Sequence, residues 1–253
     1  MNHGPTAPND RRTPIIEVFD EHYARFWAPE LADKRLARES QLVLRLGGFT
    51  AGDRVLDIAC AYGRMSIALA RCGIDVTGLD ISDALLNEAR QRARDEERSP
   101  EFVHGDMRDL KEFGGFDGAL LWFTCFGYFE HSENQQVLRQ VLGCLRPGGR
   151  LLLETRHWDS MRRRFEPTTV RSAGDDLLIE HHRYDAETGT QITDQVLVID
   201  GRRTERSTAV RRYGFPELRA MCLDAGFRSV SGYDQDGRSL GPESERCVLV
   251  ATA

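Results

Sequence analysis

The sequence lacks the features that mark membrane-anchored, secreted or nucleic-acid-binding proteins. No run in its 253 residues approaches the roughly 18 apolar residues of a membrane-spanning helix, and residues 1–12 contain no apolar segment typical of a secretory signal. Asp and Glu total 40 against 34 Lys and Arg, and the net charge of −6 disfavours binding to phosphate backbones. We therefore expect a cytoplasmic protein without membrane or nucleic-acid partners, with a disordered tail over residues 1–12.

Closely spaced cysteine pairs and a dinucleotide fingerprint are also absent. The six cysteines lie far apart, most of them within apolar segments, which favours buried free thiols over disulfides or zinc ligands. No metal site is expected. The segment Ala59-Cys60-Ala61-Tyr62-Gly63-Arg64 lacks the spacing Gly-x-Gly-x-x-Gly, so an NAD-dependent dehydrogenase is disfavoured.

Most of the chain shows an alternation of apolar strands and amphipathic helices. A chain of 253 residues fits one large α/β domain. The apolar periodicity predicts strands at 54–58, 75–79, 101–104, 116–121, 150–155, 228–233 and 246–252, and helices at 63–71, 83–96, 134–145 and 215–225. Strands that alternate with helices are typical of a doubly wound parallel sheet with right-handed crossovers. The predicted fold class is therefore α/β, with a Rossmann-like, doubly wound, seven-stranded sheet.

Two segments depart from this alternation. Residues 13–50 are expected to form a helical cap, with helices at 15–27 and 32–46. Within residues 157–213, predicted strands at 177–184, 191–199 and 204–213 are joined by short glycine-containing turns, which indicates an inserted antiparallel β-meander. Three half-buried strands need a partner surface, so we expect the meander to act as a lid or as the contact of a homodimer. Residues 13–253 together are predicted to form one domain.

Acidic side chains recur where the predicted strands end. Asp57, Asp80 and Asp106 lie at the ends of the first three strands, and the aromatic segment 122–129 follows the fourth. An isolated aspartate is more often a helix cap, but the carboxyl ends of parallel strands share one crevice, where open α/β sheets bind ligands. Two acids with the spacing of Asp57 and Asp80 can hold the hydroxyls of a ribose. The recurrence favours a nucleotide-type cofactor site.

The order of these motifs resembles that of the class I S-adenosylmethionine-dependent methyltransferases, in particular those that act on small molecules. The first family motif runs acid, x, Gly, x, Gly, x, Gly after strand one, and Asp57, Ala59, Ala61 and Gly63 occupy these positions. Further motifs follow at 78–82, 105–107, 116–119 and 145–149, and the resemblance spans residues 23–252. It implies an enzyme with S-adenosylmethionine as cofactor that methylates nitrogen or oxygen of a small-molecule metabolite, in natural product biosynthesis. Alanine at two positions where the family usually has glycine narrows the space for the cofactor.

The resemblance also implies the cofactor contacts. The turn 59–63 approaches the methionine portion, Asp80 holds the ribose hydroxyls, and Ile81, Asp106 and Met107 bind the adenine. The full set of implied cofactor residues is Tyr23, Asp57, Ala59, Ala61, Gly63, Arg64, Asp80, Ile81, Asp106, Met107, Trp122 and Phe123. Tyr23 belongs to an N-terminal helix that covers the cofactor in this family, although aromatic residues at helical spacing equally often fill a core.

Substrate binding is assigned to Trp27, Phe126, Tyr128 and His157, of which Tyr128 and His157 are also the catalytic candidates. A base is needed only where the methyl acceptor carries a proton. His157 follows strand five and is the best placed histidine by sequence; the less well placed ones are His131, His181 and His182. A structural role is the commoner one for each histidine.

Two alternatives to methyl transfer remain open at this stage. The same fold can bind S-adenosylmethionine without using its methyl group, as a pericyclase or a lyase. A cofactor-sensing module without catalytic activity is the third possibility. The mass of the product distinguishes methyl transfer from a pericyclase or lyase reaction. The absence of turnover identifies the cofactor-sensing module.

Overall fold

The computed structural model describes residues 13–20, 22–27 and 33–253, so the expected tail over residues 1–12 lies outside the described part of the chain. The elements in chain order are α1 (Ile15–Val18), α2 (Tyr23–Trp27), α3 (Asp33–Gly47), β1 (Arg54–Ile58), α4 (Arg64–Arg71), β2 (Asp75–Asp80), α5 (Asp83–Arg92), β3 (Glu101–His104), β4 (Phe116–Leu121), α6 (His131–Cys144), β5 (Leu145–Arg156), α7 (Trp158–Arg163), β6 (Thr168–Ala173), β7 (Asp176–Asp185), β8 (Thr190–Ile199), β9 (Arg202–Arg211), α8 (Phe215–Ala225), β10 (Ser229–Tyr233) and β11 (Arg246–Thr252). None of these helices is long and apolar enough to cross a membrane.

A seven-stranded sheet forms the centre of the fold, in the order β10-β11-β5-β4-β1-β2-β3. Strands β1 to β5 pair in parallel, and β11 runs antiparallel to both β5 and β10. Because Ile58 of β1 pairs with Leu79 of β2, Asp57 and Asp80 lie at the same edge of the sheet. The predicted α/β class and the seven-stranded, Rossmann-like sheet are confirmed.

Helices cover both faces of this sheet, which explains why its central strands are almost continuously apolar. Leu56 of β1 faces one layer of the core, where α6 and α8 contribute Val137 and Leu218. Val55, the preceding residue, faces the opposite layer, where α3 and α4 contribute side chains such as Leu69. Burial on both faces fixes the register of the strands, because a shift by one residue would exchange the two faces. The carboxyl edge of the sheet is therefore positioned firmly.

A second, antiparallel sheet of four strands, β6-β7-β8-β9, is inserted between α7 and α8. Its last hairpin closes through Asp200 and Gly201, which both have positive φ angles, 49° and 74°, as a two-residue hairpin turn requires. The sheet contacts the chain after β4, where the Arg211 N–H donates to the Gly127 carbonyl over 2.7 Å. A Cβ atom at Gly127 would lie 2.4 Å from the Arg211 oxygen, so glycine permits this close approach. The inserted sheet thus lies beside the carboxyl edge of the main sheet.

The N-terminal segment packs on the inserted sheet. The Thr13 N–H donates to the Ser207 carbonyl over 2.9 Å, and Arg206 of β9 pairs with Asp20. Phe26 is buried against Leu178 and Leu197 of the same sheet. Phe19 and Trp27 also pack against Tyr62 and Leu85 beside the main sheet, so the N-terminal segment contacts both parts of the fold.

Some helix bounds differ from the sequence predictions, since α5 ends at Arg92 rather than at 96 and α6 begins at His131 rather than at 134. Three larger differences concern the N-terminal helices, the meander and β5. The continuous helix expected at 15–27 is two short helices, and the Asp20 carboxylate, which accepts from the His22 N–H over 3.0 Å, offers the backbone an alternative to the helical bond between them. The expected three-stranded meander has a fourth strand, β6, whose alternately exposed and half-buried residues carry little apolar signal. Strand β5 begins at Leu145, ahead of the predicted 150, with an irregular register opposite Phe116 and Gly118.

Candidate active site

The chain turns sharply after β1 through alternate residues in the left-handed region. Ala59, Ala61 and Gly63 have φ angles of 59°, 50° and 74°. A Cβ atom at Gly63 would lie 2.7 Å from the Phe102 ring and 3.0 Å from the Ala89 Cβ, so this position requires glycine for space as well as for conformation. The two alanines occupy the same unusual conformation with a side chain, which strains the turn.

Two buried carboxylates face this turn. Asp57 is 2% exposed and accepts a hydrogen bond from the Ser66 hydroxyl over 2.5 Å. Burial raises the pKa of Asp57 to about 6. Asp80 accepts from the Ala61 N–H over 2.8 Å and from the Ser82 N–H over 2.9 Å, and burial raises its pKa as well. The turn and the end of β2 are therefore held together by Asp80.

A third carboxylate, Asp106, follows β3 and is held by Arg108. The Arg108 side chain donates to Oδ1 of Asp106 over 3.1 Å and to Oδ2 over 3.0 and 2.6 Å. It also donates to Glu133 over 3.0 Å. Burial alone would raise the pKa of Asp106, but the hydrogen bonds from Arg108 outweigh it and hold the pKa below its usual range. Asp106 is therefore ionised and oriented at neutral pH.

These groups line one cavity at the carboxyl edge, the first cavity. Its walls are Ile15, Phe19, Asp57, Ala59, Cys60, Ala61, Tyr62, Arg64, Met65, Leu79, Asp80, Ile81, Leu85, Gly105, Asp106, Met107, Trp122, Phe123, Thr124, Cys125, Tyr128 and Phe129. All of the cofactor residues implied by the resemblance line it except Tyr23 and Gly63. Tyr23 begins α2, and its side chain lies outside the described part of the structure. Gly63 directly precedes α4 and ends the turn without lining the cavity.

The loop after β4 is strained and firmly held. Phe123 and Thr124 are consecutive non-glycine residues with φ angles of 63° and 61°. The buried Glu154 accepts from the Phe123 N–H over 2.9 Å, and its own carbonyl accepts from the Thr124 N–H over 3.0 Å. Arg246 pairs with the Glu154 carboxylate over 2.6 Å and donates to the Thr124 hydroxyl over 3.1 Å. Backbone strain of this kind persists only where surrounding contacts enforce it, and it clusters at functional sites.

A second cavity, of about 320 Å³, lies between this loop and the inserted sheet. Phe19, Phe123, Thr124 and Tyr128 line both cavities, so the two spaces meet at these four residues. One face of the inserted sheet supplies polar walls, because alternate residues of adjacent strands point the same way. The residues on that face are Thr169, Arg171, Leu178, Glu180, His182, Gln191, Thr193, Gln195, Leu197, Arg206, Thr208 and Val210.

Hydrogen bonds connect the polar groups of this wall. The buried Glu180 accepts from Arg171 over 2.6 Å and from Gln195 over 2.9 Å. His182 contacts the Thr169 hydroxyl through Nε2 at 3.2 Å and the Thr193 hydroxyl through Nδ1 at 3.1 Å. Burial lowers the pKa of His182 and, together with nearby arginines, outweighs the opposing charge of Glu180, so the neutral imidazole predominates at pH 7.

The four residues assigned to substrate binding are divided by the structure. Trp27 and Tyr128 line the second cavity, and burial raises the pKa of Tyr128 to about 12, so its phenol stays protonated. Phe126 points into the core, 5.7 Å from the ring of Tyr213. His157 is buried at the start of α7 and lines neither cavity, and its Nδ1 has no hydrogen-bond partner among the described residues.

The sequence pattern favours His157 over His182 as the catalytic histidine, and it does not identify Glu180 or Arg212 as site residues. These residues come from the inserted sheet, where polar residues at alternate positions look like a solvated face. The signal that was present is the pattern Leu178, Glu180, His182, which puts an apolar residue on the same face as the polar ones. That pattern indicates a covered polar surface rather than an open one.

The comparisons with known proteins agree with this geometry. Residues 55–149 match a family model described as a methyltransferase domain. A ubiquinone biosynthesis O-methyltransferase of Bordetella avium is 31% identical over 59% of this chain and 66% of its own length. The curated relatives are matched over 41% to 66% of their own lengths. All of these names denote methyltransferases, so they do not favour the pericyclase or lyase alternative.

Solved structures share the fold over most of the chain. An S-adenosylmethionine-dependent methyltransferase from Clostridium acetobutylicum superposes with a TM-score of 0.76 at 14% identity, covering 91% of this chain and 96% of its own. An amino pentose methyltransferase from Micromonospora echinaspora, solved with S-adenosylmethionine bound, gives 0.64 at 20% identity, with 87% and 90% covered. These structures show the shared fold, and the methyltransferase-domain match over residues 55–149, the curated relative and the ordered motifs show that the chain belongs to the class I S-adenosylmethionine-dependent methyltransferase family.

Proposed function

We propose that this protein binds S-adenosylmethionine in the first cavity and transfers its methyl group to nitrogen or oxygen of a small molecule in the second. The observation that carries the proposal is the meeting of the two cavities at Phe19, Phe123, Thr124 and Tyr128. Methyl transfer is an in-line displacement, so aligning donor and acceptor in a space shielded from water supplies most of the acceleration. Two adjoining cavities that share a largely aromatic wall would place the methyl donor and the acceptor side by side.

The lining of the first cavity suits S-adenosylmethionine chemically. Asp80 and Asp106 present carboxylates, which accept hydrogen bonds from ribose hydroxyls and from the adenine amino group. Ile81 and Met107 supply the apolar surface that a flat base requires. Asp57, beside the turn 59–63, would hold the positively charged methionine end. When bound, the cofactor supplies a methyl group activated by its sulfonium charge.

Tyr128 and Phe123 act at the junction of the cavities. Their rings line both spaces, and ring faces attract cations such as a sulfonium. The Phe19 ring lies edge-on to Tyr128 at 5.5 Å, which restricts the Tyr128 ring. Because the Tyr128 phenol keeps its proton, we assign it the role of a hydrogen-bond donor to the acceptor molecule rather than that of a base.

For an acceptor that carries a proton, we assign the role of base to His182. It is neutral at pH 7 and lies in the wall of the second cavity. Its Nε2 and Nδ1 contact the hydroxyls of Thr169 and Thr193, which also line the cavity. We assign one of these hydroxyls the transfer step: it takes the proton of the acceptor and gives its own proton to the ring nitrogen that it contacts. His157 remains a prediction as a catalytic residue, but from its position at α7 it reaches neither cavity.

We assign the inserted sheet the role of a fixed wall of the acceptor site. Its polar face forms much of the second cavity, and α1 and α2 pack on it from above. A small-molecule acceptor is consistent with the name of one structural relative, which is an amino pentose methyltransferase. The homodimer and a role in natural product biosynthesis stay predictions, and sedimentation tests the first of them.

Calorimetric titration with S-adenosylmethionine and S-adenosylhomocysteine tests the cofactor site. We expect Asp80→Asn to weaken binding about ten- to hundredfold, because a charge-assisted hydrogen bond contributes about 1.5–3 kcal/mol. Asp75→Asn is the matched control, since Asp75 lies at the opposite end of the same strand and is exposed. Circular dichroism checks that both variants are folded. Equal affinity of Asp80→Asn and wild type would refute the ribose assignment.

Methyl transfer itself is tested by mass spectrometry. The protein is incubated with S-adenosylmethionine and a panel of small amines and phenols. We expect a product that has gained one methyl group, together with an equal amount of S-adenosylhomocysteine. Tight cofactor binding without any methylated product across the panel would contradict the proposal.

A further inference from the structure

Arg212 is a cation in the wall of the second cavity, and it has no carboxylate partner in the part of the chain that the structure describes. It directly follows β9, and its side chain lines the cavity. Its Nε donates to the Gln191 side-chain oxygen over 3.0 Å, and its backbone N–H donates to the Gly189 carbonyl over 2.9 Å. Among residues 13–20, 22–27 and 33–253, no Asp or Glu oxygen lies within 4.0 Å of its guanidinium. Its terminal nitrogens make no hydrogen bond to the described residues, and Arg212 lines the cavity.

Other arginines that line the same cavity do have such partners. Arg171 pairs with Glu180 over 2.6 Å, Arg164 pairs with Glu245 over 2.9 Å, and Arg206 pairs with Asp20. In each of these pairs, the carboxylate neutralises the charge of the arginine within the protein. Arg212 differs from them, because its positive charge is left for the contents of the cavity.

The surroundings of Arg212 make this charge costly without a ligand. Burial, together with the charges of Arg156 and Arg246, lowers the pKa of Arg212 to about 10. At neutral pH the guanidinium is still charged. A desolvated cation among other cations is destabilising unless an anion joins it.

The geometry points to a methyl acceptor that carries an anionic group, a carboxylate or a phosphate, bound by the Arg212 guanidinium. This inference rests on the proposed function, because it concerns the molecule that occupies the second cavity. A guanidinium presents two parallel N–H donors that match the two oxygens of a carboxylate or phosphate. Tyr128, which interacts electrostatically with Arg212, also lines the junction with the first cavity. An anion on Arg212 thus anchors the acceptor beside the passage to the cofactor.

A purely structural role is the competing explanation. Arg212 could serve only to hold Gln191 and the turn at Gly189. In that case its replacement would change stability but not the affinity for anions. The two explanations therefore differ in a binding measurement, whatever happens to the melting temperature.

The test uses protein saturated with S-adenosylhomocysteine and three probes of similar size. Benzoate carries a carboxylate, phenyl phosphate carries a phosphate, and benzamide is the neutral counterpart of benzoate. Affinities are measured by calorimetry for wild type, Arg212→Gln, Arg212→Lys and Arg183→Gln. Arg183 is the matched control, because it lies in β7, is exposed and pairs with Asp194 at 2.8 Å.

We expect wild type and Arg183→Gln to bind benzoate or phenyl phosphate at least tenfold more tightly than benzamide. Arg212→Gln should lose about ten- to hundredfold in affinity for the anion, whereas Arg212→Lys, which keeps the charge but not the fork, should lose less. The preferred anion identifies the acceptor group as carboxylate or phosphate.

The inference is overturned if neither anion binds wild type better than benzamide does, or if Arg212→Gln binds the anions as wild type does. Binding of S-adenosylhomocysteine is measured separately in each protein and should be unchanged in Arg212→Gln. If wild type does not bind S-adenosylhomocysteine, the proposed function fails. The anion inference is then tested by the same titrations on protein without S-adenosylhomocysteine.

Discussion

Replacement of Ala61 by glycine should stabilise the protein, against the usual effect of this substitution. Ala61 has a φ of 50°, a left-handed conformation that is unfavourable for a residue with a Cβ atom by about 1–2 kcal/mol. Glycine removes this strain but increases the conformational entropy of the unfolded chain, which offsets about 0.5–1 kcal/mol. The net result is a free energy of unfolding higher by about 0.5–1 kcal/mol.

The same reasoning applies to Ala59, whose φ is 59°. In the double variant we expect the melting temperature to rise by a few degrees, because about 1 kcal/mol shifts it by roughly 2–4 °C in a chain of this size. Ala59 and Ala61 are close neighbours, so their effects need not add. The Ala61 N–H that donates to Asp80 is kept in the glycine variants, and cofactor binding should therefore be retained.

Urea unfolding followed by circular dichroism measures the change. Ala68→Gly is the control of opposite sign, because Ala68 lies within helix α4, where glycine lowers the free energy of unfolding by about 0.5–1 kcal/mol. If Ala61→Gly destabilises the protein as much as Ala68→Gly does, the left-handed conformation of the turn is not a source of strain, and the reasoning is refuted.

Two further predictions concern titratable groups. Asp57, with a pKa of about 6, is ionised above pH 6 and protonated below it. If it holds the positive methionine end, affinity for S-adenosylmethionine should fall by up to about tenfold per pH unit below pH 6 and level off above pH 7, whereas in Asp57→Asn calorimetry should show no such fall. His182→Gln should lower the turnover of a protonated acceptor about 10²- to 10⁴-fold in a steady-state assay, and His157→Ala should leave it near wild type. The reverse order of the two histidine variants would restore His157 as the base.

The main sheet could be predicted because its signals are local. Strands β1, β4 and β11 have the predicted bounds, since each is a short, largely apolar run that begins directly after a polar or glycine residue. Strand β6 was not predicted, because its sequence of Thr168–Ala173 lies at the edge of a sheet and buries little. Its pairing with β7 depends on distant residues that no local pattern reveals.

The same difference separates the two halves of the candidate site. Asp57, Asp80 and Asp106 line the first cavity, where strand ends and short turns place them. The second cavity is built by a sheet that folds back over the loop after β4, so His182 and Arg212 reach it through tertiary contacts. Sequence spacing carries no information on that approach.

The central claim is that the methyl group of the cofactor lies where the two cavities meet. The most direct measurement is nuclear Overhauser spectroscopy on the protein bound to S-adenosylmethionine labelled with carbon-13 at the methyl group. We expect cross-peaks from this methyl to the ring protons of Phe123 and Tyr128, which line both cavities. A bound methyl group whose cross-peaks reach neither ring would contradict the account.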